Sequence, residues 1–217
     1  MGGFIPAVLW LIFWQLEDHC DPEPKKLILL SFFAGMVAVP LVLPFQLAAQ
    51  QVTDGAFMLL LWATAEEVLK FAVAWVVVLR NRAVDEPIDT IIYMLTVALG
   101  FAALENTLFL LNPLGDGNVF GSLLAGNLRF IGATLLHTLA SATIGIALAL
   151  SFYRSAHIRR MYLFGGVILA ILLHTLFNFF ILNSSGNAFS VFLFVWIGVV
   201  IVLLFFERLK RPAKDYC

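Results

Sequence analysis

The sequence predicts an all-α membrane protein, a polytopic bundle of about seven transmembrane helices with its N-terminus outside and its C-terminus in the cytoplasm. Three observations predict it. Hydrophobic residues make up 62% of the 217-residue chain and charged residues 12%, with a mean hydropathy of +0.97. A soluble domain carries about 25% charged residues, so no soluble fold of this size covers so much apolar surface. Apolar runs of the length a spanning helix needs, ~20 residues at ~1.5 Å rise each, recur along the chain. Lys and Arg fall in alternate connections between those runs.

Taken in order, the runs are 3–16, 27–49, 54–80, 88–112, 127–153, 161–183 and 188–206. The first is short. It lacks the basic flank and small-residue cleavage site of a secretory signal, so it is kept as a helix. The breaks carry turn chemistry: "QLEDHCDPEPKK", "AAQQVTDG", "RNRAVDEP", "LNPLGDGN", "RSAHIRR" and "NSSGN". There is no internal repeat, no low-complexity tract and no linker long enough to divide domains. Residues 1–217 read as one domain.

Orientation follows from the basic residues. The first, third and fifth connections hold Lys25, Lys26, Arg80, Arg82, Arg154, Arg159 and Arg160, and the tail adds Arg208, Lys210, Arg211 and Lys214. The second, fourth and sixth hold none. Positive residues mark the cytoplasmic side. Cys20 and Cys217 then both face a reducing compartment, at no metal-ligand spacing, and are expected to be thiols. A net charge of −1 gives no basic surface for nucleic acid.

Of the 13 basic residues, Lys70 and Arg129 alone lie outside those cytoplasmic segments. Lys70 sits with Glu66 and Glu67 in "LLLWATAEEVLKFAVAWVVVL". A charged residue at the middle of a membrane helix costs ~2.5–3.5 kcal/mol against ~0.3–0.6 gained per Leu, Ile, Phe or Val. Such residues face the bundle interior or a wet cavity, pair with one another and mark function. Other polar groups fall on three further helices: Glu105 and Asn106 in "GFAALENTLF", Arg129 and His137 in "NLRFIGATLLHTLASATIG", His174 and Asn178 in "LLHTLFNFF". Spacing of i,i+4 places Glu66 with Lys70, and His174 with Asn178, on shared faces. Measured from the outer helix ends at ~1.5 Å per residue, Glu66 lies ~18 Å deep, His137 ~15 Å and His174 ~13 Å. Glu105 and Arg129 lie nearer the outer surface, within reach of each other.

Carboxylates, imidazoles and an amide at one depth suit acid–base work on a polar bond. A buried Glu of this kind suits a general base, and the neighbouring Lys can keep its carboxylate ionised. One His orients the water. A second His and an Asn one turn away offer donors to an oxyanion. The reaction class is hydrolysis of a carbonyl, above all a peptide bond. No His-Glu-x-x-His motif is present, so no cofactor is expected; zinc held by His137, His174 and Glu66 is the alternative. A transporter or ion pathway could use the same charges, but would show paired repeats and helices broken near the midplane. The plainest alternative is a buried ion pair of the two acids with Lys70 that only fixes helix packing.

"EEVLK", "GFAALEN", an Arg followed eight residues later by His, and "HTLFN" together resemble, in order and helix placement, the PrsW family of intramembrane proteases. That family belongs to a wider group with CAAX prenyl endopeptidases and bacteriocin-immunity proteins. "DPEPKKLIL" and "DEPIDTIIYMLTVALGFAALENTLF" are also similar to its pattern, so the resemblance runs from about residue 10 to residue 180. It implies that Glu66 and His137 activate water, that His174 and Asn178 form the oxyanion hole, and that Glu67 and Lys70 support them. Lys70 stands where many CAAX-type members have Arg, which favours the PrsW branch over prenylated substrates. The implied partner is a membrane-protein substrate, such as an anti-sigma factor, met in the bilayer of the cell membrane.

Overall fold

The computed structural model describes residues 4–17, 22–115, 119–183 and 188–209, without the side chains at 17, 110–131 and 188. Cys20, Cys217 and the side chain of Arg129 therefore lie outside the described residues.

Among the described residues the chain is all helix: α1 Phe4–Glu17, α2 Lys25–Val52, α3 Gly55–Val77, α4 Pro87–Gly115, α5 Val119–Leu150, α6 Ala156–Asn183 and α7 Ala188–Leu209. Five, α2 and α4 to α7, contain stretches long and apolar enough to cross a membrane. α1 has 14 residues. α3 has 23 residues, but the three charges of Glu66, Glu67 and Lys70 interrupt it. The seven expected runs each become one helix, and several helices overrun the apolar stretch that signalled them. α6 begins at Ala156, where the Ser155 carbonyl accepts from the Arg159 amide (2.9 Å), so His157 lies in its exposed first turn and not in a loop. Hydrogen bonding sets helix ends, whereas hydropathy marks only the part that needs lipid.

α4 and α5 form the centre; 89% of the membrane-crossing window of each is buried. α4 starts at Pro87, where the missing N–H costs nothing. Asp89, two residues on, accepts from the Asp85 and Glu86 amides (2.9 and 2.7 Å), which holds the entering chain as a capping box does. α2 lies against α4 at backbone contact. A Cβ on Gly35 would stand 2.0 Å from the Val97 carbonyl oxygen, and one on Gly100 1.9 Å from that of Phe32. Small residues at membrane helix crossings permit this approach. α6 packs against both α5 and α3, and α7 packs chiefly against α5. The outward faces of α2, α6 and α7 expose Leu41, Phe45, Phe164, Leu172, Phe194 and Leu204, the surface a protein turns to lipid.

Two prolines shape α2. Pro40 and Pro44 lack the amides that would bond the turn before them. The helix continues past both, and its last turns lie beside α3, whose Trp62 Nε1 donates to the Gln46 carbonyl oxygen (3.1 Å).

Candidate active site

α3 brings Glu66, Glu67 and Lys70 inward together, all at 3% exposure or less. Their partners come from four other helices. Lys70 Nζ donates to Glu67 Oε1, three residues back, although i,i+4 spacing also puts it on the Glu66 face. Lys70 also donates to His137 Nδ1 on α5 (3.1 Å). Glu67 accepts twice more, from His174 Nδ1 (2.8 Å) and from Ser141 Oγ (3.2 Å). Three donors thus occupy three of the roughly four lone-pair sites on its two oxygens.

The histidines are fixed by these bonds. Lys70 can only donate, so His137 Nδ1 accepts and its Nε2 carries the proton, which goes to Glu105 Oε2 (2.9 Å). His174 gives its Nδ1 proton to Glu67, which leaves a lone pair on Nε2. Each ring is thus backed by a carboxylate, and the two rings meet edge to face at 5.1 Å. Phe101 closes one side, 5.2 Å from the His137 ring and 4.9 Å from Lys70 Nζ.

Glu66 is held differently. Gln46 Nε2 donates to its Oε1 (2.9 Å), while buried Oε2 has no hydrogen-bond partner among the described residues. Oε2 instead faces His174 Nε2 at 3.6 Å and His137 Nδ1 at 4.0 Å. One ligand atom from each of Glu66, His137 and His174 falls within 4.8 Å of the others. Acceptors gathered this closely, off water, need a donor or a cation among them. A divalent metal fits by ligand type and by the carboxylate behind each ring. His137 would offer Nδ1 only if Lys70 turned wholly to Glu67, with which it is already paired.

Residues expected to gather at one depth do so: Glu66, His137 and His174 meet, with Glu67 and Lys70 beneath them. Glu105, expected nearer the outer surface beside Arg129, reaches inward to His137. Asn106 stands apart, its amide donating to Thr134 Oγ1 (3.1 Å) in the α4–α5 contact. Asn178 is half-buried one turn beyond His174 on α6, with no side-chain bond to the described residues. Gln46 and Ser141 were not anticipated. A cavity of about 650 Å³ between α5, α6 and α7 lies apart from the site. It is lined by residues such as Leu139, Gly166, Leu173 and Gly198, and no residue of the site reaches it.

A multi-pass membrane protein that buries two carboxylate-backed histidines against a third carboxylate has the constellation of a hydrolase. The chain matches the model of the PrsW family of intramembrane metalloproteases over residues 23–205, and it belongs to that family. It is similar along nearly its whole length to proteins named Protease PrsW. That of Bacillus subtilis (strain 168) is 30% identical over 208 residues, 91% of each chain. That of Geobacillus kaustophilus (strain HTA426) is 29% identical over 99% of this chain and 92% of its own. That of Shouchella clausii (strain KSM-K16) is 28% identical over 99% and 96%. No solved structure matches the chain. Family and fold together make this a membrane protease, carried as a multi-pass protein of the cell membrane.

Proposed function

We propose that this protease cuts a peptide bond of a membrane protein within or beside the bilayer, with Glu66 activating the water. The observation that carries the proposal is the facing of Glu66 Oε2 and His174 Nε2, two acceptors 3.6 Å apart. Between them they take the hydrogens of a nucleophilic water. Oε2 receives the proton as the oxygen attacks the carbonyl carbon, and later passes it to the leaving amine, so that water and peptide give a carboxylate and an amine. His137 flanks the water from the other side, its Nδ1 4.0 Å from Oε2, and takes part in orienting it when Lys70 turns wholly to Glu67. Asn178, one turn outward, is the amide donor to the oxyanion. Neutral His174, with its proton on Nδ1, accepts at Nε2 and must gain a second proton before it can share that task.

A second reading, zinc held by Glu66, His137 and His174, is favoured by the convergence of those three ligands and by the family's description as metalloproteases. When bound, zinc would acidify water and polarise the scissile carbonyl. In that reading Glu67 and Glu105 orient the two rings. Metal analysis of purified protein separates the two readings. Stoichiometric zinc, lost with activity in His137→Ala and His174→Ala, establishes the zinc site; full activity after exhaustive chelation establishes glutamate alone.

The substrate class is a membrane protein, an anti-sigma factor being the kind the family resemblance suggests. Comparing the membrane proteomes of cells carrying wild type and Glu66→Ala should show at least one fragment that only the wild type makes; identical fragment sets would defeat the proposal. The orientation read from the basic loops goes with it. Reporter fusions should place "QQVTDG" and "NSSGN" outside and "RSAHIRR" inside, and an external signal near Arg159 would reverse every depth assigned above.

A further inference from the structure

We infer that Gln46 is a positioning residue for Glu66, deciding which of its two carboxylate oxygens faces the reaction. The inference rests on the proposed role of Glu66 and goes beyond it to a residue on another helix. Gln46 touches α3 twice. Its backbone carbonyl accepts from Trp62 Nε1 (3.1 Å), and its side-chain amide donates to Glu66 Oε1 (2.9 Å). Trp62 and Glu66 are four residues apart and so lie on one face of α3, a turn from each other. One residue of α2 is thereby clamped across that turn, backbone to one side chain and side chain to the next.

An ionised carboxylate only accepts, so the amide must present its NH₂ there, and the oxygen it engages is occupied. What remains is Oε2, the atom that faces both histidines. Without the Gln46 bond the carboxylate could rotate about its last torsion, a broad and roughly two-fold rotor, and share either oxygen with the imidazoles. The carboxylate that backs each histidine fixes those rings. Gln46 does the same for Glu66 with a neutral amide, which adds no charge to a site that already holds three carboxylates around Lys70. The expected cost of losing such an orienting partner is ~10–100-fold in activity.

The test uses the full-length protein in detergent or liposomes, with Gln46→Met, which keeps side-chain length and removes the donor. Cleavage should lose ~10–100-fold in kcat with KM nearly unchanged, because Gln46 is placed to touch Glu66 and not the substrate. In a Glu66→Gln background the same change should cost nothing further, since no base remains to be positioned. A structural role would instead reduce activity by the same factor in both backgrounds, and that result overturns the inference. Isotope-edited infrared spectra provide a readout independent of proteolysis. The Glu66 carboxylate bands, identified by their loss in Glu66→Gln, should shift in Gln46→Met. Shifted bands in a protein whose wild type cuts nothing would retain the positioning contact and remove the proteolytic reading. Unshifted bands with wild-type turnover would remove the positioning role alone.

Discussion

Glu66→Gln should leave a folded protein that still binds its substrate and cleaves it ~10²–10⁴-fold more slowly, the usual contribution of a general base. The substitution keeps shape and a hydrogen-bonding oxygen for Gln46 while replacing one carboxylate oxygen by a donor. In either orientation the amide cannot take a proton from water. If its NH₂ faces the histidines, it puts a donor where His174 Nε2 offers a lone pair, so packing should survive. The measurement is proteolysis of a membrane substrate by purified protein, with monodispersity and melting checked alongside. Asn178→Ala, in the same assay, should cost ~10²–10³-fold if the amide serves the oxyanion. Wild-type cleavage by Glu66→Gln would return the two acids to a purely structural role.

Lys70→Met is expected to cost stability, on the order of 3–5 kcal/mol, as breaking a buried ion pair does. Lys70 and Glu67 are both fully buried, and Lys70 supplies one of three donors to that carboxylate. Removing the cation leaves the charge of Glu67 held by two neutral donors and frees His137 Nδ1 of its partner. Adding Glu67→Gln to Lys70→Met should restore part of the loss, because no uncompensated charge then remains. Unfolding in detergent, followed by denaturant titration of all four forms, gives the cycle. An unchanged midpoint for Lys70→Met would mean that the pair contributes no net stability.

The bundle was legible because hydropathy and charge placement are properties of whole segments. Each of the seven runs became a helix, and the ends drifted where backbone hydrogen bonding, as from the Arg159 amide to the Ser155 carbonyl, extends a helix beyond the lipid-facing part. Glu66, His137 and His174 were legible because a polar group in hydrocarbon is costly enough to stand out singly, and three at one depth cannot be chance packing. Gln46 gave no such signal. It sits before "LAAQQVTDG", where polar residues mark the end of a span, and its role depends on how α2 lies beside α3 after two prolines. Ser141 was hidden for another reason. Ser and Thr in membrane helices commonly bond their own preceding turn, as Thr138 does to the Thr134 carbonyl and Ser151 to that of Ala147. Nothing in the sequence distinguishes the one whose hydroxyl crosses to Glu67. The pairing of Lys70 with Glu67 was invisible likewise, since i,i+3 and i,i+4 partners are both within its reach.

The greasy cavity between α5, α6 and α7 matters to anyone seeking an inhibitor. It holds about 650 Å³, and apart from Thr143 its lining is apolar, aromatic or glycine and includes no member of the site. A compound found by binding alone would tend to settle there and leave turnover untouched. Screens should therefore score lost cleavage, with tight but silent binders sorted out early. Potent compounds would instead have to reach the buried acceptors past Asn178 and Glu105, the half-buried members of the site, and carry a cation or hydrogen-bond donors to meet them.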